Sequence, residues 1–271
     1  MPELPEVETT RRGIAVHLEG KQIISAAIRE RRLRWPIQKN LSKILVNQKI
    51  QRVTRRGKYI ILTADCGSLI VHLGMSGSLR LVSQSCAPEK HDHYDIVLET
   101  GKVLRYRDPR RFGSLFWTTS DPLSHWLLEK LGPEPLSADF TGDYMFRISR
   151  GKKRNIKSFI MDSQVVPGIG NIYANEALFT SEIRPGLASG RMSAKRYERL
   201  VASIKQVLTV AIQQGGTTLR DFVDSDGRPG YFKQSLFVYG RAGENCDRCN
   251  GTIKSRVLSQ RATYYCPNCQ H

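Results

Sequence analysis

Apolar residues recur at two different spacings along the 271-residue chain. Near its start, Val7, Thr10, Ile14 and Leu18 fall at helical intervals, and Pro5 sits in the first turn, where its missing N–H would have had no partner. From about residue 23 to residue 117 the period shortens. Stretches rich in Val, Ile, Tyr and Thr at 50–54, 59–63, 68–73, 78–82, 94–99, 102–106 and 114–117 are separated by Gly or polar turns, which predicts short strands in a sandwich or barrel. Gly132-Pro133-Glu134-Pro135-Leu136-Ser137 follows, with two prolines that each restrict the preceding residue, and reads as a linker. Beyond it the helical period returns at 156–161, 171–179 and 193–213. In the last of these, Tyr197, Leu200, Ile204, Leu208 and Ile212 make one stripe, read as a core face rather than a cofactor site. Gly215-Gly216 ends that helix, and the polar loop 224–231 is expected to be mobile.

Charge changes this picture from a generic α+β protein to one with a polyanionic partner. Forty-two Lys and Arg face 25 Asp and Glu, a net +17, which points first to nucleic acid. Lys49, Arg52, Arg55, Arg56 and Lys58 fall within ten residues, and Arg147, Arg150, Lys152, Lys153, Arg154 and Lys157 within eleven, with no acid in either run. One such run is usually a solvated face; several together read as a phosphate-binding groove with steep salt dependence. Asp108-Pro109-Arg110-Arg111-Phe112-Gly113 places a ring beside guanidiniums, a combination able to wedge into a base stack. Val166-Pro167-Gly168-Ile169-Gly170-Asn171 stands at a helix start and reads equally as an anion-binding turn or a plain one. No apolar run reaches the roughly 18 residues of a membrane helix, and the acidic N-terminus is unlike a secretory signal, so a cytosolic protein is expected.

The cysteines carry a second signal. Cys246-x-x-Cys249 and Cys266-x-x-Cys269, 16 residues apart, match four-thiolate zinc spacing. The segments 252–257 and 262–265 between them can pair as a hairpin that brings the two bites together. Four protein ligands leave no position for an activated water, so one structural Zn2+ is expected and catalysis must lie elsewhere. The tip, Ser259-Gln260-Arg261, offers an Arg suited to phosphate. Cys66 and Cys86 lack a partner pattern and read as buried small hydrophobes.

At the N-terminus, Met1 precedes a small Pro2, so its removal would expose a secondary amine. An α-amino group titrates near 8, far below a Lys, which leaves a useful neutral fraction. Attack on an aldehyde-level carbon gives an iminium that keeps its positive charge and drains electrons from a β-leaving group. Glu3 beside it can serve as acid or base.

Pro2-Glu3-Leu4-Pro5-Glu6-Val7-Glu8, Arg56-Gly57-Lys58-Tyr59, His72-Leu73-Gly74-Met75-Ser76-Gly77, Lys90-His91-Asp92-His93, Asp108-Pro109-Arg110-Arg111-Phe112-Gly113, Gly170-Asn171-Ile172-Tyr173-Ala174, Gln214-Gly215-Gly216-Thr217-Thr218-Leu219 and Gln260-Arg261-Ala262-Thr263, in this order along the whole chain, closely resemble the bacterial formamidopyrimidine-DNA glycosylases. The resemblance implies an α+β protein: an N-terminal helix and β-sandwich catalytic domain (1–131), a linker (132–137), a helix-two-turn-helix DNA-binding domain (138–235) and a four-cysteine zinc-finger hairpin (236–271). It implies a bifunctional glycosylase and AP lyase of base excision repair that removes oxidised purines from damaged double-stranded DNA, acting as a monomer in the bacterial cytoplasm at the nucleoid. Residue by residue, Pro2 resembles the Schiff-base nucleophile, Glu3 the acid/base, Lys58 the donor for β-elimination and Arg261 the finger residue for δ-elimination. Met75, Arg110 and Phe112 resemble a void-filling trio that enters the duplex after base flipping. His91, Arg110, Lys152 and Asn171 resemble phosphate contacts, with Lys153 and Arg154 as alternative registers for Lys152. An endonuclease VIII-like enzyme for oxidised pyrimidines is the nearest alternative; that group usually has Gly where Leu4 stands and lacks the trio. A catalytically silent DNA-binding module would need neither Pro2 nor Glu3.

Overall fold

The computed structural model describes residues 2–215 and 236–271, so Gly216 and the loop expected at 224–231 lie outside the described residues. Two compact units emerge, one of residues 2–129, with which Gln214 and Gly215 group, and one of residues 130–213 with 236–271.

In the first unit, helix α1 (Leu4–Leu18) starts with Pro in its first turn and buries Leu4, Val7, Ile14 and Leu18. Eight strands follow: β1 (Ile23–Ile28), β2 (Ile50–Arg56), β3 (Tyr59–Ala64), β4 (Gly67–His72), β5 (Ser78–Ser83), β6 (Asp92–Leu98), β7 (Lys102–Arg107) and β8 (Ser114–Thr118), with a short helix α2 (Leu41–Leu45) between β1 and β2. They form two antiparallel sheets, ordered β1-β6-β7-β5 and β2-β3-β4-β8. Ile23, Leu79, Ile96 and Leu104 from one sheet and Val53, Ile60, Leu69 and Val71 from the other share a single core with Val7, Ile14 and Leu18 of α1. That is the expected sandwich. Turns between its strands hold several of the candidate site residues. Gly57 (φ +56°) takes the first position of the two-residue β2–β3 turn, where a positive φ is required, and so brings Lys58 to the tip.

The second unit contains α3 (Gly142–Ser149), α4 (Ile156–Ile160), α5 (Asn171–Thr180) and α6 (Ala194–Gln213), with α3 and α5 packed on α6. The stripe of Tyr197, Leu200, Ile204, Leu208 and Ile212 is buried, as a core face should be. The proline-rich segment 132–137 is docked on this unit: Gly132 donates its N–H to Ser163 O, and Lys205 Nζ donates to Ser137 O. The unit ends in the hairpin of β9 (Lys254–Leu258) and β10 (Arg261–Tyr265). Ser259 and Gln260, both at positive φ (47° and 62°), close it as a two-residue turn of the mirror-image type that fits strand twist. No helix among the described residues is long and apolar enough to cross a membrane.

Candidate active site and metal centre

Glu3 is the N-cap of α1 and forms a capping box with Glu6, whose carboxylate accepts the Glu3 N–H at 2.8 Å. Pro2 and Glu3 are both buried there, at the positive end of the helix dipole, which favours a carboxylate and disfavours an ammonium. Five residues on, Glu8 reaches three guanidiniums: Arg11 (2.8 Å), Arg12 (2.7 Å) and Arg55 (3.2 Å). Arg55 also donates to Gly57 O at 2.9 Å. A buried acid therefore ties the helix carrying Pro2-Glu3 to the turn carrying Lys58. Burial alone would push the Glu8 carboxyl up, but hydrogen bonds from Arg11 and Arg12 and the charges of Arg11 and Arg55 hold it at about 2. Sequence reasoning gave Glu8 no role of its own; its spacing of 3 and 4 from Arg11 and Arg12 was the available signal.

His72, at the end of β4, packs against Tyr59 with ring centroids 4.7 Å apart and accepts the Gly74 N–H on Nδ1 at 3.0 Å. Burial, together with the charges of Lys58 and Arg34, lowers its pKa to about 4, so the ring is neutral at pH 7. Gly74 begins a loop that exposes Met75, and the loop before β8 exposes Arg110 and Phe112, with the Arg110 guanidinium 4.7 Å over the Phe112 ring. The two loops touch: Gly74 lies at φ +69°, and a Cβ there would stand 2.4 Å from Phe112 C and Gly113 N. His91, at φ +75°, accepts the Asp108 N–H through its carbonyl and so joins the same group.

In the second unit, Gly170 is the N-cap of α5 and Asn171 its first residue, following Gly168 at φ +96°. The Asn171 Oδ1 is buried and has no hydrogen-bond partner among the described residues. Lys152 and Lys153 are exposed beyond α3, whereas Arg154 pairs with Asp162 at 3.0 Å. Arg261 is exposed beside the hairpin tip. The basic runs need correction as a groove. Lys157 is 1% exposed and donates to Ala262 O and Thr263 Oγ1, both at 2.8 Å, so it pins the hairpin to α4. Arg150 lies over the Phe146 ring and donates to Met192 O, and Arg55 is held by Glu8. Folding brings these cations acceptors from distant segments, which a run of charges cannot reveal.

The Sγ atoms of Cys246, Cys249, Cys266 and Cys269 lie within 4.8 Å of one another, with Cys246–Cys269 at 3.9 Å and Cys249–Cys266 at 3.5 Å. Tetrahedral zinc with Zn–S of about 2.3 Å requires S–S separations of about 3.8 Å. Four soft donors at this spacing fit one zinc ion and fill its coordination. Cys246 and Cys266 also pack with Phe179, Val238 and Ile253 in a small core, so the metal would anchor the hairpin to α5. Asn175, also on α5, accepts the Tyr264 N–H at 2.9 Å, and Glu176 accepts N–H groups of Phe237, Val238 and Tyr239. Cys66 and Cys86 are exposed, contrary to the expectation of buried thiols, because both fall in the turns that follow β3 and β5.

Residues 1–115 match the formamidopyrimidine-DNA glycosylase N-terminal domain, residues 131–223 the formamidopyrimidine-DNA glycosylase H2TH domain, and residues 243–271 a zinc finger found in FPG and IleRS. A Pseudomonas fluorescens formamidopyrimidine-DNA glycosylase is 57% identical over 270 residues, covering 100% of both chains. Among solved structures, the Lactococcus lactis Fpg on DNA with an abasic site matches with a TM-score of 0.92 at 34% identity, covering 99% of each chain. The same species' Fpg on Fapy-dG DNA matches with a TM-score of 0.90 at 34% identity, over 99% of this chain and 100% of that one. With two family domains and the finger in order along one chain, and relatives of this identity over its full length, the protein belongs to the formamidopyrimidine-DNA glycosylase family.

Proposed function

We propose that the protein is a bifunctional DNA glycosylase and AP lyase that removes oxidised purines, 8-oxoguanine and formamidopyrimidines, from duplex DNA, working as a monomer in the bacterial cytoplasm. The observation that carries this reading is the start of α1, where Pro2 and Glu3 lie side by side and Glu8 and Arg55 link them to the turn of Lys58. The Lactococcus relatives, bound to abasic-site and Fapy-dG DNA, support the substrate class.

In this reading, removal of Met1 frees the Pro2 amine, whose lone pair forms a bond to C1′ of the flipped nucleotide. The glycosidic bond breaks, its electron pair leaves with the base, and the base takes up the proton that the Pro2 nitrogen sheds to regain its lone pair. Glu3 protonates the ring oxygen as the C1′–O4′ bond opens to the iminium. Loss of a C2′ proton sends electrons into the iminium and breaks the C3′–O bond, expelling the 3′ phosphate. A second proton loss expels the 5′ phosphate, and water releases the sugar fragment from Pro2. Lys58 and Arg261 stabilise the phosphate oxygens as negative charge gathers on them. His91, Arg110, Lys152 and Asn171 hold backbone phosphates, and Met75, Arg110 and Phe112 fill the space the lesion leaves. The zinc hairpin supplies rigidity to Arg261 and takes no part in bond making.

Borohydride trapping on duplexes bearing 8-oxoguanine, dihydrouracil or an abasic site tests the whole reading. A covalent adduct should form fastest with 8-oxoguanine and disappear when Met1 is retained or Pro2 is replaced, while duplex binding persists. Faster trapping on dihydrouracil would select the endonuclease VIII-like alternative, and undiminished trapping with a blocked terminus would remove Pro2 from the mechanism.

A further inference from the structure

Asp108 is a fully buried carboxylate at the mouth of the loop that carries Arg110 and Phe112. Its Oδ1 accepts the Ser76 hydroxyl at 2.6 Å and the Arg110 N–H at 3.2 Å; its Oδ2 accepts the Gly113 N–H at 2.8 Å and the Tyr106 hydroxyl at 3.0 Å. Its carbonyl accepts His93 Nε2–H at 2.6 Å, and its N–H donates to His91 O at 3.0 Å. The Ser76 hydroxyl, one residue after Met75, accepts the Arg110 N–H as well, at 3.2 Å. The Tyr106 hydroxyl occupies a slot between the loops: a Cβ at Gly77 would lie 2.5 Å from it, and one at Gly113 only 1.7 Å. Stacking on Tyr94, with centroids 4.8 Å apart and planes 12° from parallel, fixes the Tyr106 ring.

A buried charge is costly unless its lone pairs are met, and here four donors meet them, three from the two loops and the fourth the Tyr106 hydroxyl of β7. Apolar packing would fill the same volume without that cost, but it could not join the two loops at defined points. On the two loops that this cluster joins, Met75 and Phe112 stand 38% and 43% exposed, apolar groups left in water. Intercalation must offset the cost of unstacking, and a side chain ordered only on binding would lose part of its contribution to entropy. We infer that Asp108, through Ser76 and Tyr106, is a positioning residue that locks the Met75 loop to the Arg110–Phe112 loop, so that the trio enters the duplex as one preformed wedge. This rests on the void-filling role proposed above.

The test measures single-turnover base excision on an 8-oxoguanine duplex and cleavage of a matched abasic-site duplex. Met75→Ala, Phe112→Ala and their combination are compared with Ser76 intact and in a Ser76→Ala background. With Ser76 intact, the combined variant should lose little more excision than the worse single variant, since the wedge acts as a unit. In the Ser76→Ala background the two losses should multiply. Ser76→Ala by itself should slow excision about tenfold, the worth of a hydrogen bond or two, and change abasic-site cleavage by less than about twofold. Ser76→Thr, which keeps the hydroxyl, should recover most of the loss. Asp108→Asn should be worse than Ser76→Ala, since an amide turns its NH2 toward donors; if it does not fold, the serine series decides. Coupling between Met75 and Phe112 that survives Ser76→Ala, or equal losses of both activities in Ser76→Ala, would overturn the inference while leaving the wedge intact. If Met75→Ala and Phe112→Ala themselves fail to separate excision from abasic-site cleavage, the void-filling role falls, and the inference with it.

Discussion

Glu8→Gln removes the charge that links α1 to the β2–β3 turn. The Glu8 side chain is 11% exposed and that of Arg55 12%, so both charges are largely withdrawn from water. The Glu8 carboxyl stands at about 2 against an ordinary 4.5, and at about 1.4 kcal/mol per pH unit this corresponds to roughly 3 kcal/mol of linkage. Arg12 is mostly solvent-exposed and its share is screened, which brings the expected loss to about 2 kcal/mol at pH 7. Because the folded pKa is depressed, the stabilisation is complete above the unfolded value and erodes as pH falls through 4.5 toward 2. Glutamine preserves the shape but turns an NH2 toward guanidinium donors. Urea unfolding of both proteins between pH 7 and pH 3 should therefore show a gap of about 2 kcal/mol that narrows below about pH 4.5. Function should follow the geometry. Arg55 braces Gly57, so the variant should still form the proposed Pro2 adduct while strand cleavage, which the proposed mechanism assigns to Lys58, slows more than base release. Equal stability at pH 7, or a gap that does not change with pH, would refute the reasoning.

Three further outcomes are expected. His72, with a pKa of about 4 against an ordinary 6.5, should make the protein lose stability as pH falls from 6.5 toward 4, by about 2 kcal/mol after allowance for its partial exposure; His72→Asn, which can still accept the Gly74 N–H, should flatten that part of the pH–stability curve. Cys249→Ala or chelation should melt the hairpin and weaken duplex binding, while added zinc leaves turnover of the loaded protein unchanged; full activity in protein shown by elemental analysis to lack zinc would refute a structural metal. Lys157→Met should leave the buried Thr263 Oγ1 and the Ala262 carbonyl without their shared donor, cost about 1–3 kcal/mol and speed zinc release to a chromophoric chelator, which unchanged release would contradict.

The strands β2 to β8 were legible to within two residues, because alternating apolar positions and Gly-bearing turns fix both face and length. Strand β1 was not singled out: Ser25, Ala26 and Ala27 carry little strand signal, and Ile24 points to solvent. Helix α3 escaped because Gly142 opens it, although Thr141 caps it by accepting the Tyr144 N–H. The zinc ligands needed only spacing. What the sequence could not reveal was the occupation of the cations: Arg55 meets an acid 47 residues away, and Lys157 a carbonyl 105 residues away.

The acids show the complementary rule. In a chain of net +17 that approaches a polyanion, a surface carboxylate would repel the partner, yet the turns proposed to carry the chemistry still need fixed supports. Buried carboxylates meet both needs. Glu8 supports the turn of Lys58, Asp108 the loops of Met75 and Phe112, and Glu176 the backbone of 237–239 beside the metal hairpin. Each is surrounded by donors, so its charge is spent inward. Their settings differ: guanidiniums hold Glu8 low, whereas burial pushes Glu176 up despite three N–H donors. An acid-to-amide change should therefore be costly at Glu8 mainly through lost charge. At Asp108 the cost comes through lost acceptors, because the donors there are hydroxyls and backbone N–H groups that need lone pairs in fixed directions.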